Sequence, residues 1–258
     1  MIKAGLPLVS CVMITADRAR LCRRAVLCFQ RQTYPRRELV VIDDGEQDLS
    51  DLFAGLPPQQ VTYCRIAKRA ETTLGALRNL ALEVAKGEVI AQWDDDDWYH
   101  PERLERQLTA ILAGHDVCCL SATLMHLNHR KFVTHPYVGL LRDGVPGSIV
   151  HRLDPRARYP DLRIGEDTAF LHYWLNRRYA RLPATDAHLF IRCFHGTNSW
   201  SRKHFLSRLR NSVPDFIAYV WHGHLRGDLF AHPRFRLSDI QKLTFASYLD
   251  ESQRLGLL

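Results

Sequence analysis

The sequence has no Cys-x-x-Cys pair, no internal repeat and no low-complexity segment, and none of its apolar runs is long enough to span a bilayer. Each absence closes off a class. Seven cysteines, an odd number without paired spacing, argue against a disulfide framework and against a zinc site. Cys11, Cys64, Cys118, Cys119 and Cys193 fall in strand-like apolar runs, and Cys22 and Cys28 in a helical one. They read as buried free thiols of a reducing compartment. The opening stretch, Met1-Ile2-Lys3-Ala4-Gly5-Leu6-Pro7, lacks the apolar core of a signal peptide. The expected location is therefore the cytoplasm, with the inner face of the membrane as a second station.

What the chain does have is a formal charge of +7. An excess of that sign points to anionic partners: nucleic acid, an anionic membrane surface or a phosphorylated substrate. Apolar residues make up 46% and charged residues 24% of the 258, which excludes disorder as the default and leaves room for a large core.

One stretch organises the rest. Gly87-Glu88-Val89-Ile90-Ala91-Gln92-Trp93 reads as a turn and a short buried strand, followed by Asp94, Asp95, Asp96 and Asp97 and then by Pro101, which opens a helical pattern. Four adjacent carboxylates raise one another's pKa unless a cation neutralises them. At the carboxyl end of a buried strand they suit a divalent cation with oxygen ligands that holds a diphosphate. The competing reading is a solvated acidic loop that caps the next helix.

The flanking pattern alternates. Leu8–Ile14 predicts a buried strand, Asp17 a helix cap, and Leu21–Gln32 a helix ended by Tyr34-Pro35. Glu38–Ile42 is a second strand with Asp43-Asp44-Gly45 at its end, and Val61–Ile66 a third. Helices are expected over Glu71–Lys86 and Pro101–Ala113, so 8–113 implies a mostly parallel sheet covered on both faces. Beyond it, Asp116–Ala122 and Leu124–Thr134 read as two strands with no helix between, 135–165 as loops with short strands, and Gly165-Glu166-Asp167 as a helix start. Ala187–Phe194 is a late strand with the turn His195-Gly196-Thr197-Asn198 after it, and helices are expected near 202–211 and 238–254.

Taken in order, Val9–Arg18, Gln32-Thr33-Tyr34-Pro35, Glu38–Gly45, Gly75 with Arg78-Asn79, Gly87-Glu88, Asp94–Asp97 with Pro101, and Glu166-Asp167 resemble the family-2 glycosyltransferases. The first loop departs from the family pattern, with Thr15-Ala16-Asp17 where Pro-Thr-Tyr-Asn is common. The resemblance implies the GT-A fold, an α/β, Rossmann-like, mostly parallel twisted sheet with helices on both faces, here with a small helical C-terminal extension. It implies a domain over 1–200, divided into a nucleotide-binding half (1–115) and an acceptor half (116–200), with a basic, aromatic extension over 201–258.

It also implies roles. Thr15, Ala16, Asp17, Arg18 and Asp44 would hold the nucleoside, Arg78 would face the diphosphate, and Asp94 and Asp95 would contact the nucleotide. Asp94 and Asp96 would ligate Mn²⁺ or Mg²⁺, with His195 as a third ligand, and Asp97 would cap the following helix. Asp167 is the expected base and Glu166 the runner-up; the alternative is that both merely favour the positive end of a helix. The expected donor is a nucleoside diphosphate sugar, UDP-sugar foremost, and the acceptor a glycan or lipid-linked hydroxyl, with inversion at the anomeric carbon. The basic, aromatic tail, with Arg202, Lys203, Arg208, Arg210, Trp221, Arg226, Arg234 and Arg236, has three readings: acceptor binding, a membrane-surface patch for a lipid-linked acceptor, or a solvated face, and it shows no clean basic amphipathic helix in sequence. Two other functions compete. A nucleotidyltransferase would carry a glycine-rich basic loop where this chain has Thr15-Ala16-Asp17-Arg18. A basic nucleic-acid binder would have no use for Asp94–Asp97, whose charge repels phosphate, so no nucleic-acid partner is expected.

Overall fold

Apolar runs and amphipathic stretches alternate through the first half, and the computed structural model, which describes residues 5–129, 131–196, 198 and 201–258, turns them into strands and helices in that order. Val9–Thr15 (β1) is buried throughout, and Ala19–Gln30 (α1) packs its Cys22, Ala25, Phe29 face inward. Arg37–Asp43 (β2), Val61–Arg65 (β3), Leu74–Val84 (α2), Val89–Gln92 (β4), Trp98–Tyr99 (β5) and Arg103–Leu112 (α3) follow. Thr73 caps α2 by accepting from the Ala76 N–H at 3.1 Å. A side chain could not replace Gly75: its Cβ would stand 1.9 Å from the Pro160 carbonyl oxygen, so the helix start lies directly against that loop.

The second half supplies Val117–Leu120 (β6), Ala122–Leu127 (β7), Tyr137–Leu140 (β8), Val150–Arg152 (β9), Glu166–Trp174 (α4), Tyr179–Leu182 (β10) and Phe190–Phe194 (β11), then Arg202–Ser207 (α5), Val213–Tyr219 (α6) and Asp239–Arg254 (α7). Seven strands form the main sheet in the order β10-β6-β9-β4-β1-β2-β3. All its pairings are parallel except those of β9, which runs against β4 and β6. The expected pair at 116–134 separates: β6 stays in the main sheet, whereas β7 joins a second sheet in the order β5-β11-β7-β8. One residue, Ser121, divides them, so the chain changes sheets with no connecting loop.

α7 closes the molecule. Ser238 and Gln241 form a reciprocal capping box at its start. Its Phe245 and Tyr248 enter the main core, and Glu251 accepts from Trp98 Nε1 (2.8 Å) and Arg31 Nη1 (2.6 Å). All seven cysteines are free thiols, six of them buried. Among the described residues no helix is long and apolar enough to cross a membrane. Met1–Ala4 and Thr197, which the sequence reading used, lie outside the described residues, as does Trp200 at the expected domain boundary.

Two capping expectations change. α3 begins at Arg103 rather than at Pro101, and Asp97 does not cap it; the Asp97 Oδ1 accepts instead from the Cys193 N–H of β11 at 3.0 Å. Asp17 does not cap α1, whose capping position is Arg18 with no side-chain bond. Asp17 reaches across to the loop after β2, where its Oδ1 accepts from the N–H groups of Glu46 (2.7 Å) and Gln47 (2.8 Å).

Candidate functional site

The parallel strands β1, β2 and β4 end side by side, and their ends carry polar residues because the apolar core stops there. Thr15 closes β1, Asp43 closes β2, and the acidic run leaves β4. Arg18, Arg78, Asp94–Asp97, Glu166, Asp167, Arg192 and Asn198 line one cleft above these ends. The structure thus gathers one arginine of the first loop, the α2 arginine, the whole acidic run and the start of α4.

Within it the acidic run is partitioned by partners. Asp94 Oδ1 accepts from Arg78 Nη2 at 2.8 Å, and the same guanidinium donates through Nε to Glu166 Oε1 at 3.0 Å. Arg78 is 5% exposed, so this is a buried carboxylate–guanidinium–carboxylate chain. Its remaining nitrogen, Nη1, is buried with no acceptor among the described residues. A buried cationic donor without an acceptor suits an anionic ligand in the cleft.

Asp95 takes Thr15 Oγ1 at 2.7 Å and Arg18 Nη2 at 2.8 Å. Burial pushes its carboxyl up, against the pull of the Arg18 charge. Asp96 Oδ2 accepts from His195 Nε2 (3.2 Å), Asn198 Nδ2 (3.3 Å) and Arg18 Nη1 (3.4 Å). Burial would raise this carboxyl too, but the His195 hydrogen bond and the Arg18 charge outweigh it and hold it low. Asp97, buried and faced by Asp96, is pushed far up. The four neighbours therefore differ: Asp96 is the stabilised anion, and Asp97 is structural.

The loop is fixed from beneath by two arginines that sequence patterning does not single out. Arg24 of α1 donates to the Asp96 carbonyl at 2.7 Å and to Ser252 Oγ of α7 at 3.1 Å. Arg103 of α3 donates to the Gln92 carbonyl at 3.0 Å, with its guanidinium 4.5 Å from the Tyr99 ring centroid. Both are essentially inaccessible. An arginine at an inward helical position was the available signal in each case.

Asp17 and Asp44 stand outside this cleft, at the loop after β2. Asp17 has φ 54°, in the left-handed region, and lies 3.9 Å from Lys68. The turn depends on Gly45, where a Cβ would meet the Asp17 nitrogen at 2.6 Å. Asp44 donates its N–H to the Thr15 carbonyl (3.3 Å), and burial pushes its half-buried carboxyl up. Ala16 lies in the turn out of β1, between Thr15 and Asp17.

Glu166 and Asp167 form the first turn of α4 after Gly165, whose φ is 82°. Glu166 is buried against Arg78, and desolvation raises its carboxyl. Asp167 accepts from the Thr168 N–H (2.6 Å) and borders both the cleft and a second cavity beside it. Asp96 and His195 converge, with Oδ2 and Nε2 3.2 Å apart, and the carboxylate oxygens of the run are the donors that suit Mn²⁺ or Mg²⁺. Among the described residues no three His, Cys, Asp or Glu side chains already form a cage. Arg192, from an otherwise apolar strand, and Asn198 complete the wall.

Residues 10–209 match the family model described as Glycosyl transferase family 2. Over 124 residues, 44% of this chain and 44% of the relative, the sequence is 33% identical to WcaA of Escherichia coli (strain K12), a glycosyl transferase named for colanic acid biosynthesis. It is 23% identical over 120 residues, 45% of this chain and 36% of the relative, to the amylovoran biosynthesis glycosyltransferase AmsB of Erwinia amylovora. The matched stretch spans less than half the length of these curated relatives. Among solved structures, S. aureus TarS 1-349 in complex with UDP-GlcNAc superimposes with a TM-score of 0.58 at 18% identity, over 96% of this chain and 73% of that one. The mannosyltransferase PcManGT of Pyrobaculum calidifontis, in complex with GDP-Man and Mn²⁺, does so with a TM-score of 0.57 at 16% identity, over 98% and 73%. These likenesses show a shared GT-A fold.

Proposed function

The chain belongs to glycosyl transferase family 2, and from that premise we propose that it moves a sugar from a nucleoside diphosphate sugar to an acceptor hydroxyl with inversion. The observation that carries the reading is the convergence of Arg18, Arg78, Asp94–Asp96 and Asp167 on one cleft at the carboxyl ends of parallel strands. UDP-sugar is the favoured donor, since TarS is described in complex with UDP and with UDP-GlcNAc.

Thr15, Ala16, Asp17, Arg18, Asp44 and Asp95 orient the nucleoside. Arg78, whose Nη1 has no acceptor among the described residues, takes a diphosphate oxygen. Asp94, Asp96 and His195 would hold Mn²⁺ or Mg²⁺, which when bound neutralises charge developing on the leaving diphosphate. Asp167 accepts the proton of the acceptor hydroxyl. That oxygen forms its bond to the anomeric carbon as the carbon–oxygen bond to the diphosphate breaks, and the electron pair leaves with the nucleoside diphosphate. Attack opposite the leaving group inverts the centre. Glu166 is the weaker base because Arg78 already engages it.

In this reading residues 1–115 serve the donor, 116–200 the acceptor, and 201–258 form an extension. We also infer that the extension meets an anionic membrane surface. Val213, Phe216, Ile217, Trp221 and Leu225 are exposed along one continuous helical run, with Arg210 and Arg226 at its ends. A location at a membrane's cytoplasmic face would follow.

The test is a thermal-shift series with UDP and GDP, each with and without Mn²⁺. A metal-dependent shift with UDP, lost in Asp96→Ala, is the expected result. No shift with any nucleotide, or an undiminished shift in Asp96→Ala at saturating Mn²⁺, overturns the donor and metal assignments respectively.

A further inference from the structure

The second cavity shares Asp167 and Arg192 with the donor cleft and has a volume of about 450 Å³. Its wall carries more cations than anions. Arg142, Arg192 and Arg208 line it together with His172 and His204, against the carboxylates of Asp143 and Asp167. Asp143 is exposed at the rim, and Asp167 is committed to the reaction in the reading above.

Arg208 is the informative residue. It makes no ion pair among the described residues. Its Nη2 donates to His204 Nε2 at 3.1 Å, which requires His204 to be neutral at that nitrogen. Its Nε is buried with no acceptor among the described residues. The charge that acts on it most strongly is Arg192, of like sign, and burial together with that repulsion lowers its pKa. Burial and the same two arginines hold His204 near 4, so at neutral pH it adds no charge. Arg192 is partly compensated by the acidic run, Asp97 foremost. Among the described residues no carboxylate compensates Arg208 in this way. A half-buried guanidinium with an unused donor and a like-charged neighbour is costly unless an anion completes it. A guanidinium presents a fork that matches phosphate or carboxylate oxygens.

We propose that this cavity seats an acceptor bearing an anionic group, phosphate foremost, which Arg208 grips from the buried side and Arg142 from the rim while the acceptor hydroxyl lies at Asp167. The inference rests on the transferase reading and adds to it the acceptor's class. A soluble sugar or polyol phosphate and a lipid-linked phosphate offer the same chemistry, and the test separates them.

Transfer from UDP-sugar is measured with matched acceptors: glycerol against glycerol 3-phosphate, glucose against glucose 1-phosphate, and a short-chain prenyl diphosphate sugar in detergent. Phosphorylated members are expected to be used with KM lower than their neutral partners by roughly tenfold to a hundredfold, the range of a charge-assisted contact. Preference for the prenyl member marks a lipid-linked source, and preference for the small phosphates a soluble one. Arg208→Gln is expected to raise that KM by a similar factor with a smaller change in kcat, and Arg208→Lys to recover part of it. Direct titration with glycerol 3-phosphate gives a second readout that needs no turnover, and its binding should weaken in Arg208→Gln. Equal use of neutral and phosphorylated acceptors, with Arg208→Gln behaving as the parent, overturns the acceptor inference and leaves the transferase reading standing. Phosphate binding that depends on Arg208 in a protein that neither binds nor turns over nucleotide sugar sustains the anion site and removes the transferase reading instead.

Discussion

Asp167 and Glu166 adjoin in the chain, yet their surroundings differ. Glu166 is buried and bound to Arg78, whereas Asp167 is half-exposed between the two cavities, with the neighbouring Thr168 as its hydrogen-bond donor among the described residues. A base must reach the acceptor's proton, so Asp167→Asn should cut kcat by roughly a hundredfold to ten-thousandfold while UDP affinity stays put. Calorimetric UDP binding beside steady-state transfer would check this, and parental kcat in the Asn variant would move the role elsewhere. Much at this scale was legible in the sequence. The acidic run was readable from its place between a buried strand and a helix start, and Arg78 and Glu166-Asp167 from the family resemblance; all of them line one cleft. Which aspartate does what was not, since four identical letters differ only in the partners that folding brings: Arg78 to Asp94, Thr15 to Asp95, His195 to Asp96, Cys193 to Asp97. Arg208 could not be singled out either, since its isolation is a property of the space around it.

At the level of elements, β7 and α7 are joined by a contact that acid should break. His126 of β7 is fully buried; its Nε2 faces the Val133 carbonyl at 3.0 Å and therefore carries the proton, so Nδ1 accepts from the Tyr248 hydroxyl of α7 at 2.7 Å. Burial lowers its pKa to about 4. A histidine held below its ordinary value contributes stability fully above about 6.5, and that contribution is lost as pH falls from there toward 4, worth about 3 kcal/mol over the window. His151, packed beside Phe170 and Trp174 and also lowered to about 4, adds a term of the same sign. Melting temperature should fall between pH 7 and pH 4.5, and the fall should be shallower in His126→Gln. An unchanged pH slope in that variant would discard the assignment. Strands β1–β4 and helices α1–α5 were visible as unbroken apolar runs or as patterns of three and four, and α7 was expected at 238–254 against Asp239–Arg254 observed, whereas α6 and the parallel strand β10 were not expected. The exchange of sheets at Ser121 was not visible, because strand partners are long-range choices that a local pattern does not encode.

For the molecule as a whole, charge and apolar surface fall on the same segment. Residues 201–238 carry seven arginines and lysines against two aspartates, and one of those, Asp215, is bound to Arg234 at 2.7 Å. Within that segment Val213, Phe216, Ile217, Trp221 and Leu225 project from a single helical run, with Val213 75% and Leu225 69% exposed. Linear patterning does not separate this face from a buried one, because its three-and-four spacing is equally that of a core-facing stripe and only the structure shows it exposed. The Arg226 guanidinium lies 5.2 Å from the Trp221 ring centroid, which puts a cation beside an exposed aromatic. Such a face inserts its apolar side chains at the headgroup boundary while arginines meet anionic lipid. The protein should therefore co-sediment with phosphatidylglycerol-containing vesicles, bind pure phosphatidylcholine weakly, and release as salt screens the attraction. Ile217→Ser with Trp221→Ser should weaken partition by roughly tenfold to a hundredfold through lost apolar burial. If the double variant pellets like its parent, or if lipid charge makes no difference, this face does not bind membrane; a concentration-dependent dimer lost in the same variant would assign it to self-association. The membrane outcome carries a consequence for catalysis, since a protein held at the headgroup level meets phosphate-bearing acceptors at high local concentration, and vesicles carrying such an acceptor should then raise the transfer rate of the parent but not of the double variant.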